Sequence, residues 1–557
     1  MDNVRLILIF ALAFVLLLLY QAWVKDYGTA PFQTAEAPSQ ETEKPTSPPG
    51  QAVPTPSVPI VETPGGTTEA VPAPEAKTVT QSPVVRVRTD VLDLEISTRG
   101  GDLRSLLLQD YPVSPETPET KFQLFKPVPP DLFVAQSGLL GSDPETAPTH
   151  EAQYSAERAE YTLSPDQEQL DVILHWTHPS GVEVAKHFIF RRGSYLVEVR
   201  HEVTNRSGLP WTGRVYTQLQ RTPPPKKSGT SFIYTFTGGA IYTPEDKYDK
   251  IPFEDMSESK LDRDVIGGWI SMIQHYFLAA WIPPAEATQH FYSNALSGDR
   301  YVLGMYSQPV TLPDGASQSF VDQLFAGPKL QDALAKVAKG LELTVDYGWL
   351  TVVSQPLFWL LEKLHDLLGN WGWAIIFLTI LIKLAFYKLS ETSYKSMANM
   401  RRMTPRLQAL KDRYGSDKQR LNQAMMELYK KEKINPLGGC LPVVVQIPVF
   451  IALYWVLLES VELRQAPFIL WMNNLSAPDP YFVLPLVMGI SMFIQQKLNP
   501  APVDPIQAKI MMALPVVFTV FFAFFPSGLV LYWVVNNILS IAQQWYITRK
   551  IEQAAAH

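Results

Sequence analysis

Thirty-nine consecutive residues, 510–548, carry no charged side chain. As one helix they would extend about 58 Å at ~1.5 Å per residue, nearly twice a ~30 Å hydrocarbon core. Phe525-Pro526-Ser527-Gly528 near the middle supplies a break, so the run reads as two membrane spans joined by a tight turn. Four more uncharged runs, 6–24, 367–382, 434–458 and 480–496, are each sized for one crossing. Six spans are therefore expected. The first run competes with a secretory signal reading, but it exceeds the ~7–15 apolar residues of such a signal and leads directly into Gln21-Ala22-Trp23. It reads as an uncleaved anchor.

Lys and Arg placement sets the orientation. Residues 388–437 hold twelve Lys/Arg against five acids, whereas 459–480 holds one Arg against three acids. The short segment 497–509 has two Lys and one Asp, and Arg549-Lys550 open the tail. Basic and acidic segments alternate, so both termini are expected in the cytoplasm and the long region between spans one and two outside. With a net charge of −7 the chain as a whole is not built for nucleic acid, and the single Cys440 excludes an intrachain disulfide and a Cys-based zinc site.

The outer region begins with 28–83, which has twelve prolines and Phe32 as its one aromatic residue. Such a segment cannot bury enough apolar surface to offset its ordering entropy and reads as a disordered tether. From Val84 the period changes to two. Tyr195, Val197, Val199 and Val203 share one strand face, and so do Leu170, Val172, Leu174 and Trp176. Gly100-Gly101, Arg192-Gly193, Gly238-Gly239 and Pro313-Asp314-Gly315 are turn signals. A large β-sandwich is expected, with Trp176 and Trp211 in its core and a helix over 330–341. His175, His178, His187 and His201 are scattered and imply no metal centre. The stretch 349–369 alternates Leu357, Leu360, Leu361, Leu364 and Leu368 with Glu362, Lys363, His365 and Asp366 at helical spacing. It reads as an interfacial helix.

Lys383 is the one ionisable residue well inside the uncharged runs. It lies thirteen residues after Asn370, about 20 Å along a helix, in the cytoplasmic half of a bilayer. Thr379 and Tyr387 are expected on its face at spacings of four. Two readings stay open: the amine snorkels to the interface, or it lines a polar cavity. Gln446, Thr519 and the stripe Asn536, Ser540, Gln543 and Gln544 place more polar groups inside apolar runs. These serve either interhelical hydrogen bonds or a water-filled groove.

The basic loop reads as two helices, 394–414 and 417–433, flanking Gly415-Ser416, with Leu407, Leu410 and Tyr414 facing Leu421, Met425 and Leu428. Met397, Met400, Met403, Met425 and Met426, beside Arg401 and Arg402, suit either plain packing or a landing surface for apolar peptide. The charge suits ribosomal RNA or anionic lipid heads. No P-loop, HExxH or GxSxG motif occurs, so no cofactor and no catalytic residue is expected.

Several motifs resemble the YidC/Oxa/Alb family of membrane-protein insertases, in its Gram-negative form with a large periplasmic domain. They are LTVDYGWL with SQPLF (343–350 and 354–358), GNWGWAI (369–375), INPLGGCLP (434–442), SVELRQAPF (460–468) and FPSGLVLYW (525–533). The resemblance implies a periplasmic β-supersandwich, a helical core with a hydrophilic groove open to cytoplasm and lipid, and a cytoplasmic helical hairpin. It implies that Lys383 stands where the family usually has Arg, keeping the charge without the planar fork. It also implies Thr379 and Gln446 in the groove, and Phe450 and Phe521 as apolar contacts for departing substrate; Asn536 and Ser540 of the polar stripe are expected to line the same groove. The implied partners are nascent membrane proteins, the Sec translocon, the ribosome and membrane lipids, at the inner membrane. A transporter using the same polar groups is the rival class, but no internal hydropathy repeat supports it. An envelope scaffold acting through the β domain is another.

The expected organisation is an anchor (1–27), the tether (28–83), the β domain (84–345), the interfacial helix (346–369) and the second span (370–388). The hairpin (389–437), third span (438–458), outer loop (459–479) and fourth span (480–496) follow. A cytoplasmic loop (497–508), the fifth and sixth spans (509–526 and 527–548) and a cytoplasmic tail (549–557) complete it.

Overall fold

The computed structural model describes residues 60–62, 68–70, 83–225, 235–415, 417–432, 441–499 and 505–554. The expected anchor lies outside them, as does most of the tether, in which Ile60–Glu62 pairs antiparallel with Thr68–Ala70. The chain divides into two compact units at Val345/Asp346.

The first unit is built from two sheets, of nine and eleven strands among the described residues. Period-two alternation builds the nine-stranded one. Val197, Val199 and Val203 of strand Leu196–Asn205 are fully buried, and that strand pairs antiparallel with Val182–Arg191 on one side and Ser317–Pro328 on the other. In the other sheet Trp211–Arg221 lies between Phe133–Gly141 and Arg300–Ser307. Val182, Val184 and Val203 of the first sheet form one core cluster with Leu139, Trp211 and Val215 of the second, which makes the unit a sandwich. The Trp281 indole N–H donates across it to the Gln218 carbonyl at 3.1 Å. Trp211 is buried and its indole N–H donates to the Thr146 carbonyl.

Two readings of this unit need correcting. Gly238-Gly239 is not a turn but the start of strand Gly238–Thr243. A Cβ on Gly239 would lie 2.4 Å from the Met256 methyl carbon, so the glycines answer to close packing. The helix expected over 330–341 covers only Gln331–Val337, followed by a 3₁₀ turn at Leu341–Thr344.

The core is also more polar than expected. Lys186, at the inward position between Val184 and Phe188, is fully buried and its ammonium donates to the carbonyls of Gly100 (2.8 Å) and Ser137 (2.9 Å). His201, its register partner, is equally buried. Desolvation pushes Lys186 down and Asp102 up, while each charge favours the other. Burial lowers the His150 imidazole to about 3 and holds His201 well below its ordinary range.

The second unit is helical. With Phe253–Glu258 (α1) and Gln331–Val337 (α2) in the β unit, its helices are α3 (Thr351–Leu368), α4 (Trp371–Ala385), α5 (Tyr387–Tyr414), α6 (Lys418–Lys431), α7 (Leu441–Glu459), α8 (Val483–Leu498), α9 (Pro505–Phe522) and α10 (Ser527–Ala554). Gly369 in the left-handed region (φ 67) closes α3, its N–H bonded to the His365 carbonyl. Asn370 then caps α4, accepting from the Gly372 and Trp373 N–H groups. The buried stripe of α3 is Ser354, Phe358 and Leu361, rotated from the expected leucine face because α3 packs on α4 and α7.

The break in the long uncharged run falls where proline and glycine put it, between α9 and α10. It is clamped by the segment before α8: the Ser527 N–H donates to the Ala477 carbonyl (2.7 Å) and the Gly528 N–H to that of Leu475 (2.9 Å). Another expectation fails. The helix that carries Lys383 does not continue through Tyr387; it ends at Ala385, and α5 leaves at 67°. The bend comes where the apolar run gives way to Lys388-Leu389-Ser390-Glu391. Tyr387 therefore leaves the Lys383 face. Among the described residues no single helix is long and apolar enough to cross a bilayer alone, although α4 and α5 pass together as a bent pair. The six-span count does not follow from helix length.

Candidate functional site

Lys383 sits in the last turn of α4, where the partial negative charge of the helix end favours a cation. Its side chain turns inward. The residue is 8% exposed, and its ammonium donates to Ser540 Oγ on α10 at 2.7 Å. Ser540 in turn donates to the Asn536 carbonyl at 2.7 Å, and the Tyr394 side chain of α5 also hydrogen-bonds Ser540. Three helices thus meet at one hydroxyl.

One turn before Lys383, Thr379 is 1% exposed and donates to the Ile375 carbonyl at 2.7 Å. Its proton serves its own helix, which leaves its oxygen lone pairs for other donors. Asn536 is half-buried. Gln543 Nε2 donates to the Tyr387 carbonyl at 3.4 Å, and Gln544 Nε2 to Asn499 Oδ1 at 3.0 Å. The polar stripe of α10 therefore reaches α4, α5 and the end of α8. Gln446 on α7 is half-buried, and Thr519 on α9 donates to the Pro515 carbonyl.

Sequence reasoning passed over Asn537 and Ser491. Asn537 is buried and its Nδ2 donates to Ser491 Oγ of α8 at 3.0 Å. Both are polar side chains within uncharged runs, and that signal was present. Tyr394 was treated as a hairpin residue, and nothing local marked it as a partner of α10.

Phe450 and Phe521 lie at two ends of one aromatic cluster. Phe450 meets the Trp533 ring edge-on at 4.5 Å, Trp533 lies 4.9 Å from Phe522, and Phe522 lies 5.4 Å from Phe521. Phe521 is 40% exposed. The cluster joins α7, α9 and α10 with apolar surface facing outward.

The hairpin forms with Met403, Leu407, Leu421 and Met425 in its seam and Leu410, Tyr414 and Leu428 against them. Asp417 caps α6 through the Gln419 and Arg420 N–H groups. Met425, expected on a presenting surface, is 4% exposed and packs in the seam instead. Met397 and Met400 are half-buried, and Arg401 and Arg402 exposed. Arg402 donates to the Ile551 carbonyl at 3.0 Å, which ties the hairpin to the end of α10.

The chain thus combines an apolar helical unit that encloses a cation with a large two-sheet β domain. The family model described as YidC periplasmic domain matches residues 84–360, and the one described as 60Kd inner membrane protein matches 363–554. The membrane protein insertase YidC of Methylococcus capsulatus is 54% identical over 557 residues, covering 100% of both chains. That of Thioalkalivibrio sulfidiphilus is 54% identical over 569 residues, covering 100% of this chain and 99% of its own. The chain belongs to the YidC family. Among solved structures, the crystal structure of an active YidC insertase with its first transmembrane domain resolved aligns with a TM-score of 0.37 and 18% identity, over 84% of this chain and 95% of that one.

Proposed function

We propose that this chain is a membrane protein insertase and chaperone for nascent inner-membrane proteins. The observation that carries the reading is the Lys383 ammonium, 8% exposed among apolar helices and directed at Ser540 of α10 rather than away from the helical unit. A lone cation held there is costly unless water or a ligand shares its solvation. In this reading Lys383, Thr379, Gln446, Asn536 and Ser540 line a wet groove open to cytoplasm and lipid. The polar flank of an incoming segment enters it, drawn by Lys383, and the groove shortens the apolar distance that flank must cross. The apolar segment then leaves past Phe450 and Phe521 into lipid, driven by burial of its side chains at about 25 cal/mol per Å². No nucleotide is needed for that step, and no bond is made or broken.

The same reading gives six spans, both termini in the cytoplasm and the β domain in the periplasm of a Gram-negative cell. The hairpin, through Met397, Met400, Arg401 and Arg402, receives chains from the ribosome, and the protein works alone or beside the Sec translocon in contact with lipid. Photocrosslinkers at Gln446 and Phe521 test it. They should capture ribosome-bound nascent membrane proteins in defined order, Gln446 before Phe521 as the chain lengthens. Labelling that ignores chain length, or no labelling at either position, would contradict the reading.

A further inference from the structure

A cavity of about 680 Å³ opens between α5 and the end of α8, lined by Arg401, Thr404, Gln408, Asp412, Lys497 and Asn499 among others. Its charged residues are two cations and one acid. Among the described residues neither Arg401 nor Lys497 has a carboxylate within ion-pair distance, although other hairpin cations do, such as Arg406 with Glu432 and Lys395 with Glu391. The walls are fixed: Arg402, next to Arg401, is bonded to the end of α10, and Asn499 accepts from Gln544 of α10.

Lys497 also ends an apolar stripe. Leu486, Ile490, Phe493 and Lys497 follow at spacings of four, three and four, which puts them on one helix face. The three apolar members are 58%, 53% and 42% exposed. The Lys497 ammonium lies over the Phe493 ring, 4.7 Å from its centre. An exposed apolar stripe leading into a paired-cation cavity matches one kind of molecule, with hydrocarbon chains at one end and an anionic phosphodiester at the other. RNA supplies the phosphate but nothing for the stripe.

We propose that this cavity is a binding site for one anionic phospholipid, with its phosphate between Arg401 and Lys497, hydroxyl-rich headgroup atoms against Thr404, Gln408 and Asn499, and acyl chains along Leu486, Ile490 and Phe493. The site is separate from the Lys383 groove, and lipid retention can be read whether or not insertion occurs.

The test is native mass spectrometry of the full chain released from mixed phosphatidylglycerol and phosphatidylethanolamine vesicles. The Arg401→Gln/Lys497→Gln double variant is compared with Lys430→Gln/Lys431→Gln, which removes equal charge at hairpin positions outside the cavity. A basic residue beside an anionic headgroup is worth about fivefold, so the first variant should bind phosphatidylglycerol roughly 25-fold more weakly. Wild type and control should retain it in preference to phosphatidylethanolamine. Equal retention by both variants would overturn the proposal and leave the stripe to another occupant, such as residues 6–24 of this chain. Displacement of the lipid by inorganic phosphate alone, or by a short RNA hairpin, would also overturn it, because the stripe would then contribute nothing.

Discussion

Lys383 Nζ and Ser540 Oγ lie 2.7 Å apart across the contact between α4 and α10. An ammonium has three protons to place, and this contact takes one. The other two need water or a ligand in an apolar setting, so the pair acts as an anchor that leaves the charge available. Ser540→Ala should cost about 1.5–3 kcal/mol of stability, the range for a hydrogen bond to a charged group, while the charge remains. Thermal unfolding of the purified chain measures the loss. An unchanged midpoint would mean that the contact is not made.

Gly372 illustrates a steric constraint. A Cβ there would fall 2.0 Å from a ring carbon of Phe468 in the outer loop, and Asn370 Nδ2 bonds the Pro467 and Phe468 carbonyls beside it. Gly372→Ala should destabilise by about 1–3 kcal/mol. In the Phe468→Ala background the same change should cost much less. Additive losses in a double-mutant cycle would exclude direct contact.

Asn537 and Ser491 join α10 to α8 at 3.0 Å. Asn537→Leu removes the donor and should cost about 0.6–1.7 kcal/mol, as interhelical bonds in membrane proteins do. With Cys440→Ser as background, Asn537→Cys and Ser491→Cys should crosslink under mild oxidation. Failure to crosslink would place the two helices in another register.

Asp322 gives the β unit a pH signature. It is 2% exposed, its Oδ2 is buried without a hydrogen-bond partner, and burial pushes its carboxyl up to about 7. A carboxyl whose folded value is raised contributes stability that is present below about pH 4 and lost as pH rises through about 7. Asp322→Asn should therefore gain on wild type as pH rises from about 4 to about 7. Urea unfolding of the full chain, read by tryptophan fluorescence, tests this. A difference independent of pH would show that Asp322 titrates normally.

The architecture was legible wherever a periodic pattern reported a buried face. Alternation in 196–205 gave the strand and its core residues, and Pro526-Gly528 gave the break between α9 and α10. Helical spacing set Leu407, Leu410 and Tyr414 against Leu421, Met425 and Leu428, which share one cluster. What failed depended on neighbours distant in sequence. The α3 stripe is rotated because α4 and α7 choose which residues face them, and Gly238-Gly239 reads as a turn until Met256 is in place. Lys186 and His201 occupy inward strand positions that the sequence reading passed over, and local sequence does not place the carbonyls of Gly100 and Ser137 that satisfy the lysine. For the candidate site, Lys383, Asn536 and Ser540 stand out in the sequence as polar residues within or beside apolar runs. Their meeting was not legible, since the Lys383–Ser540 contact spans 157 residues.

The central claim is that the Lys383 charge draws substrate. Insertion into vesicles containing the purified chain, with substrates whose translocated tails are acidic, measures it most directly across Lys383→Glu and Lys383→Arg. Insertion should be at least about tenfold slower with Glu and near normal with Arg, with little effect of Glu on neutral tails, a tenfold change being about 1.4 kcal/mol. Equal rates for Glu and wild type on acidic tails, with both proteins folded, would contradict it.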